Sequence, residues 1–377
     1  MTLGKGDVVT IAGAGPAGLS AAITLARAGQ AVVVHEAQAE VGHRFGTDLQ
    51  GLENWTTEAD VLAVMRSAGL NTDFRYMPGT RGVAYDHWRN AWPIESEVPL
   101  FYLVERGPRP GSLDSALLAQ ALELGVEVRF NSRLKTIPSP AIRAVGPRAA
   151  DAIAVGYHFE TDMDDGFWVI CDDELAPRGY AYLLIWEGRG TVKSCMFTGF
   201  KQEQRYVERT VRAFEELVGL RMRDPRPHGG VGNFRIPVQP FPDGRPVVGE
   251  QAGFQDTLWG FGMRHAMMSG VLAARSLLEG SDYNALWRRE FGAQMETSVV
   301  NRALFSMLGN RGYRWFLRKA ANVDDLRGFL RRQYGPSLLR KLLLPWARRR
   351  YRSVRKDRSC DHVDCSCVWC RCGGEFA

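Results

Sequence analysis

The residues with the clearest chemical purpose are three glycines near the start of the chain. Residues 11–18 read Ile-Ala-Gly-Ala-Gly-Pro-Ala-Gly, an apolar strand that runs into the pattern G-x-G-x-x-G. Here Gly13 permits a tight turn, Gly15 lets the backbone approach a pyrophosphate, and Gly18 lets the following helix pack closely on the strand. A second apolar strand closes on Glu36, 21 residues beyond Gly15, where a carboxylate can accept hydrogen bonds from a ribose. The pattern predicts a site for FAD or NAD formed by Gly13, Gly15, Pro16, Ala17, Gly18 and Glu36.

A second segment with the residue types of a cofactor site lies far along the chain. Pro246-Val-Val-Gly-Glu-Gln-Ala-Gly253 is followed by Gly260-Phe-Gly262 and by a helical stretch from about Met263 to Leu278. An acid here can bond a ribityl chain, the glycines let a ring edge approach the backbone, and the helix dipole steadies negative charge on a reduced flavin. Because a dehydrogenase that binds only NAD has no need of this second element, we expect FAD, bound also by Glu250, Gly253, Gly260 and Gly262.

These segments resemble the FAD-dependent geranylgeranyl reductase family, within the aromatic-hydroxylase-like group of flavoproteins. The resemblance covers about residues 7–280 and also includes Pro177-Arg-Gly-Tyr-Ala-Tyr182, which is similar to the family's substrate motif. It implies hydride transfer from the flavin N5 to a C=C bond of an isoprenoid or similar apolar substrate, with a proton delivered to the neighbouring carbon. The site residues that it implies are Asp48 and Gln50 near the ring, Tyr180 and Tyr182 along an apolar pocket, and Arg44 and Arg109 as further cofactor contacts.

Other interpretations of these residues stay open. Tyr180 and Tyr182 are equally explained as alternate residues of an ordinary buried strand. An FAD-dependent monooxygenase or dehydrogenase acting on an aromatic or polyketide-like molecule would use the same two cofactor elements. A flavin-bearing electron carrier whose metal-binding C-terminal tail docks a partner is a third hypothesis. For the reductase, the electron donor is expected to be NAD(P)H bound transiently or a ferredoxin-like redox partner.

The end of the chain holds a second cluster of reactive residues. Six soft ligands fall within 13 positions, a density that predicts a metal site in a chain expected to be cytosolic, where disulfides are rare. Zinc is favoured over an iron–sulfur cluster because the C-x-C spacings fit no standard ferredoxin pattern. A disordered tail is the alternative, and the choice of four ligands is open. The candidates are Cys360, His362, Cys365, Cys367, Cys370 and Cys372.

Charge is unevenly distributed along the chain. Residues 311–358 contain 16 Lys or Arg but 3 Asp or Glu, whereas the whole chain carries a net charge of +6. Trp and Leu residues alternate with these cations, a pattern typical of a helix lying on an anionic membrane, although a solvated face packed on the protein body explains it equally well. No apolar run reaches the roughly 18 residues that a membrane span needs, and the chain enters its first strand almost at once. We therefore expect a cytoplasmic protein, with peripheral membrane contact as an option and no nucleic-acid partner.

These residues require an α/β architecture to bring them together. We predict a Rossmann-type FAD-binding domain, an antiparallel-sheet substrate domain and a helical C-terminal region. Strands are expected at about 153–159, 167–171, 180–186 and 191–198, and a helix at about 203–218. The predicted organisation is an FAD-binding domain over 1–150 with inserted strands at about 74–104, a substrate domain over 151–245, a return to the FAD-binding domain over 246–282, a helical basic region over 283–358 and a Cys-rich tail over 359–377.

Overall fold

The computed structural model describes residues 3–4, 6–147, 150–234, 240–241 and 244–350. The strands, in chain order, are β1 (Val8–Ala12), β2 (Ala31–His35), β3 (Leu49–Glu53), β4 (Tyr76–Gly79), β5 (Arg81–Asp86), β6 (Ala91–Glu95), β7 (Phe101–Glu105), β8 (Glu127–Arg129), β9 (Ala141–Arg143), β10 (Ala152–Glu160), β11 (Gly166–Cys171), β12 (Tyr180–Trp186), β13 (Arg189–Met196) and β14 (Arg223–Gly232). The α-helices are α1 (Pro16–Arg27), α2 (Val61–Ser67), α3 (Leu113–Glu123), α4 (Glu203–Val218), α5 (Met263–Glu279), α6 (Tyr283–Trp287), α7 (Ala293–Ala320), α8 (Leu326–Gln333) and α9 (Leu338–Arg350).

A parallel sheet positions the first glycine turn. Its strands lie in the order β8-β2-β1-β9, and α1 connects β1 to β2 as the sequence predicts. A parallel bridge joins Arg143 to Val247, so the chain returns to the edge of this sheet after its long excursion. α5 then packs on α1 so closely that a Cβ on Gly270 would lie 2.1 Å from the Ala17 carbonyl oxygen. The two cofactor elements therefore share one core.

A second sheet of seven strands forms the body beside this core. Its order is β14-β10-β13-β12-β11-β5-β6, with antiparallel pairing except between β11 and β5. α4 covers one face, where Val207, Ala213 and Phe214 are buried. Apolar residues of the other face pack with a small antiparallel sheet, β3-β7-β4, and with α7. This second face also contacts the second cofactor element, because Tyr180 packs on Trp259.

The strands predicted as one insertion at 74–104 divide between two sheets. β4 and β7 pair with β3, whereas β5 and β6 join the seven-stranded sheet through β11. The domain boundary predicted at residue 150 thus separates β5 and β6 from their sheet partners. The physical reason is that β5 pairs in parallel with β11, and paired residues such as Val83 and Trp168 are 85 positions apart in the sequence. No local pattern specifies such a distant partner.

The C-terminal region is helical, as predicted. α7 changes direction at Gly309, whose φ of 57° and ψ of −171° are not helical. α9 packs against the first half of α7, where Ala347 joins Val299, Val300 and Ala303 in a buried cluster. Of the helices that the structure describes, none is both long and apolar enough to cross a bilayer. The predicted metal ligands Cys360, His362, Cys365, Cys367, Cys370 and Cys372 lie outside the described residues.

Candidate active site

The two predicted glycine turns lie against each other. A Cβ on Gly249 would stand 2.9 Å from the Cβ of Ala17, in the first turn of α1. The Gly249 N–H donates to the Ser269 hydroxyl (2.9 Å), and the Val145 N–H donates to the Gln251 side chain (3.1 Å). Residues that are far apart in the sequence therefore build one continuous surface at the N-terminus of α1.

Each glycine of the first turn has the surroundings that its predicted role requires. Gly13 has a φ of +106°, and a Cβ there would lie 2.3 Å from the Ala144 carbonyl oxygen; a Cβ on Gly18 would lie 2.0 Å from the Gly13 oxygen. Gly15 differs, because a Cβ there would meet no heavy atom within 4 Å, and no side chain caps α1. The uncapped N–H groups and the open space fit the pyrophosphate of a dinucleotide. Glu36 follows β2 and accepts from the Ala14 N–H (2.8 Å), so its carboxylate borders the same space.

The acid of the second turn pairs with Arg44, which the sequence predicts as a cofactor contact. Arg44 donates to Glu250 Oε2 (2.8 Å), and the Asn233 N–H donates to Glu250 Oε1 (3.2 Å). Gly253 ends this turn with a φ of +87°. The remaining predicted glycines lie between the turn and α5: Gly260 has a φ of +85°, and Gly262 precedes the first residue of α5. This arrangement joins the loop after β2 to the second cofactor element and to the end of β14.

Arg106, rather than Arg109, is the buried arginine of this region. Arg109 is half-exposed and lies 3.6 Å from Glu105. Arg106 forks onto Asp114, with Nε–Oδ2 and Nη2–Oδ1 distances of 2.7 and 2.9 Å, and donates to Gln50 (3.1 Å). A bidentate pair of this kind is rigid as well as strong. Our sequence interpretation missed Arg106; the available signal was Asp114, an acid eight positions later that lies at the start of α3.

Asp48 stands at the centre of a buried polar network. The Lys193 ammonium is 2.6 Å from Asp48 Oδ2, and His158 Nε2 is 2.9 Å from Asp48 Oδ1. Gln50 donates to the same carboxylate (2.9 Å), so the predicted residues Asp48 and Gln50 are in direct contact. The His158 ring stacks on His228 at 4.1 Å between centroids. Asp48 and Lys193 are almost fully buried, with 1% and 2% of their side chains exposed.

The charges of this network follow from its burial. Burial by itself would raise the pKa of Asp48, but Lys193 and His158 outweigh it and hold that pKa well below its usual range. Burial lowers the pKa of Lys193, with Asp48 opposing, so this ammonium gives up its proton more readily than an exposed lysine. Burial and Lys193 lower the pKa of His228 to about 4. At neutral pH the network therefore holds a charged Asp48 carboxylate and a neutral His228 beside Lys193.

Three residues of this network have the types and spacing of metal ligands, but the charge of Lys193 disfavours a bound metal ion. Ligand atoms of Asp48, His158 and His228 lie within 4.8 Å of one another. The Lys193 ammonium, however, already occupies the carboxylate, and a second cation would be repelled by it. The donor set therefore fits a proton network better than a metal centre.

An aromatic and small-residue surface adjoins the network on the same sheet face. The cross-strand row Tyr182–Lys193–Gly156–His228 is followed by the row Tyr180–Cys195–Ala154–Gly230. The Tyr180 hydroxyl donates to the Trp259 carbonyl, and the Tyr180 and Tyr182 rings lie 5.9 Å apart. A Cβ on Gly230 would meet no heavy atom within 4 Å, so the sheet opens onto space there. This face can hold a flat or apolar group beside the network.

Three residues of this face were missed from the sequence. Lys193 lies in an apolar strand, Thr-Val-Lys-Ser-Cys-Met, where a charged residue on the inward face was the available signal. His158 and His228 lack such a signal because their meeting depends on the register of β10 with β14. The structure thus brings the predicted Asp48, Gln50 and Tyr182 together with partners that only the fold reveals.

Comparison with known proteins agrees with this geometry. Residues 5–140 match the FAD binding domain family, a segment that contains the first glycine turn and Glu36. A geranylgeranyl bacteriochlorophyll reductase-like protein from Thermoplasma acidophilum superimposes with a TM-score of 0.68 at 18% identity, over 90% of this chain and 96% of that one. The chain is an FAD-dependent oxidoreductase with a geranylgeranyl-reductase-like fold.

Two further relatives define the breadth of this similarity. The digeranylgeranylglycerophospholipid reductase of Haloferax volcanii is 23% identical over 84% of this chain and 90% of its own length. A flavin-dependent brominase superimposes with a TM-score of 0.61 at 17% identity, over 87% of this chain and 92% of that one. The fold is therefore shared by flavin proteins of different chemistry.

Proposed function

We propose that this FAD-dependent oxidoreductase reduces C=C bonds of an isoprenoid or a similarly apolar substrate. The observation that carries the proposal is one sheet face on which an apolar surface adjoins the buried network of Asp48, Lys193 and His158. Similarity to the Haloferax reductase over most of both chains supports the same choice. When bound, FAD would supply the hydride, and the protein must supply a place for the alkene and a proton.

The apolar surface gives the alkene its place. Phe197 stacks on Phe234 at 5.5 Å, and both rings lie in one buried cluster with Ala152 and Cys195. Tyr180 and Tyr182 pack against that cluster. Small residues in the floor and aromatic rings at its margin give this face the apolar character that a prenyl chain requires.

The buried network gives the proton. Tyr182 lies opposite Lys193 in the strand register, and burial, then the Asp48 charge, raise the pKa of its hydroxyl well above the usual value. Tyr182 therefore keeps its proton until a stronger base forms beside it. In our proposal the Tyr182 hydroxyl protonates the carbon next to the one that receives the hydride, and Lys193 returns a proton to the phenolate. One hydride and one proton saturate one double bond, which balances the reaction.

The cofactor would be held by residues that the structure already groups. Gly13, Gly15 and Gly18 with Glu36 would take the adenosine and pyrophosphate, and Glu250 would face the ribityl chain. Arg44, paired with Glu250 at 2.8 Å, links that position to the loop that carries Asp48. A short stretch of one loop, from Arg44 to Asp48, therefore connects the cofactor site to the Asp48 network.

The test is an anaerobic single turnover of the dithionite-reduced protein with geranylgeranyl lipids, analysed by mass spectrometry. We expect products that have gained two hydrogens per reduced bond. Tyr182→Phe should slow this step by about tenfold or more, as expected for loss of a general acid. Tyr180→Phe is the matched control, since the Tyr180 hydroxyl bonds the Trp259 carbonyl, and its rate should change far less. Unchanged prenyl lipids after full reduction of the flavin would contradict the proposal.

An oxygenating flavoenzyme is the second candidate, because the Tyr180 and Tyr182 rings give the same face an aromatic surface that also suits a planar molecule. Its signature is oxygen uptake that depends on an aromatic substrate. Oxygen consumption with aromatic compounds, combined with inert prenyl lipids, would favour it over the reductase.

A further inference from the structure

Two helices near the C-terminus expose an unusual amount of apolar surface. We call the α7–α9 patch the set Leu304, Met307, Leu308, Leu338, Leu339, Leu342 and Trp346. Leu338 and Leu342 are 81% and 79% exposed, and Leu339 and Met307 are 64% and 62% exposed. Single exposed leucines are ordinary on protein surfaces, but seven large apolar side chains on two touching helices are not.

The packing of α9 on α7 places the two halves of the patch side by side. Arg348, near the end of α9, donates to Glu296, near the start of α7 (2.8 Å). Leu343 and Leu344 pack with the buried Val300 and Ala303. The helices are therefore antiparallel, and the first turns of α9 run alongside residues 303–308. The inward face of α9 is already packed on α7, so the exposed leucines add little to the packing of the part of the chain that the structure describes.

Cations are abundant along the helices that carry the patch. Residues 304–350 contain twelve Lys or Arg and two Asp or Glu. Lys341, Arg349 and Arg350 form no ion pair with any residue in the described part of the chain, and Lys319 lies over the exposed ring of Trp315. The patch thus combines leucine and tryptophan with unneutralised positive charge.

We propose that the α7–α9 patch docks on an anionic lipid bilayer. Transfer of leucine side chains into the acyl region is favourable, and tryptophan favours the membrane interface. Each nearby lysine or arginine is attracted to anionic headgroups. An exposed helix pair needs no complementary pocket to bind such a surface. This inference is independent of the chemistry proposed for the site, because it uses none of the same residues.

The experiment is sedimentation of the full-length, FAD-loaded protein with sucrose-filled vesicles of phosphatidylcholine alone or mixed with phosphatidylglycerol. We expect binding to the anionic vesicles that weakens as salt rises. In the double variant L338Q/L342Q, each replaced leucine should lower the partition coefficient for anionic vesicles by about tenfold or more. L122Q/L124Q, which changes two exposed leucines at the end of α3, is the matched control and should bind like the unchanged protein.

Each result decides the matter. Equal binding of anionic vesicles by L338Q/L342Q and by the unchanged protein would overturn the proposal. The binding would then come from residues outside the α7–α9 patch. Absence of binding to anionic vesicles would also overturn it. If light scattering without lipid then shows a dimer that L338Q/L342Q abolishes, a second copy of the chain is the occupant instead.

Discussion

Replacement of Lys193 by methionine tests whether the Asp48 network is a single energetic unit. The substitution removes the ammonium 2.6 Å from Asp48 and keeps an unbranched side chain of similar length. Both partners are almost fully buried, so water cannot take the place of the lost cation. Loss of one partner from a buried ion pair costs about 3–5 kcal/mol of unfolding free energy. Because His158, Gln50 and Thr191 still donate to Asp48, we expect about 3 kcal/mol.

Urea unfolding of the single variants K193M and D48N and of their double variant measures this value through a double-mutant cycle. The double variant should cost clearly less than the sum of the single variants, because no charge is left unpaired. R221M is the matched control, since Arg221 and Asp162 form a 3.0 Å ion pair whose side chains are 66% and 64% exposed. It should cost less than about 1 kcal/mol. Additive single effects, or a K193M loss as small as that of R221M, would refute the reasoning.

Three further predictions concern Gly13, Gly15 and the dependence of stability on pH. Gly13→Ala places a Cβ 2.3 Å from a carbonyl at a φ of +106° and should cost roughly 1–3 kcal/mol of stability, measured by urea unfolding. Gly15→Val should leave apoprotein stability nearly unchanged but weaken FAD binding about tenfold or more in a fluorescence titration, because its side chain would fill only the space meant for the pyrophosphate. Equal FAD affinity in Gly15→Val would contradict that assignment. The pKa of His228 falls from 6.5 to about 4 in the folded state, so unfolding free energy should fall as pH drops from 6.5 towards 4, and His228→Phe should flatten this slope. A slope unchanged by His228→Phe would show that other groups cause it.

Local patterns account for the parts of the fold that the sequence predicts well. The βαβ unit around Gly13 to Glu36 follows from apolar strands and glycine spacing within one short segment. α4 spans residues 203–218 as predicted, because one apolar face repeats at helical spacing and Gly219 ends the helix with a φ of +65°. The predicted strands at about 153–159, 167–171, 180–186 and 191–198 match β10 to β13. Each of these predictions also uses only the residues of one short segment.

Pairing between distant segments accounts for the parts of the fold that the sequence does not predict. The Asp48–Lys193 ion pair joins residues 145 positions apart, and His158 meets His228 only because β14 pairs with β10 in one register. A one-residue shift would turn each of these side chains to the opposite face of the sheet. No single-segment pattern specifies that register, so His158 and His228 enter the candidate site through the fold alone. Lys193 has one local signal, its charge within an apolar strand, but its partner Asp48 is known only from the fold.

The stoichiometry of an anaerobic single turnover tests the central claim most directly. Fully reduced protein is mixed with a limiting geranylgeranyl lipid, while flavin absorbance and the product mass are followed together. We predict that one double bond is saturated for each flavin that becomes oxidised, without oxygen. Flavin that stays reduced while the lipid remains unsaturated would contradict the account.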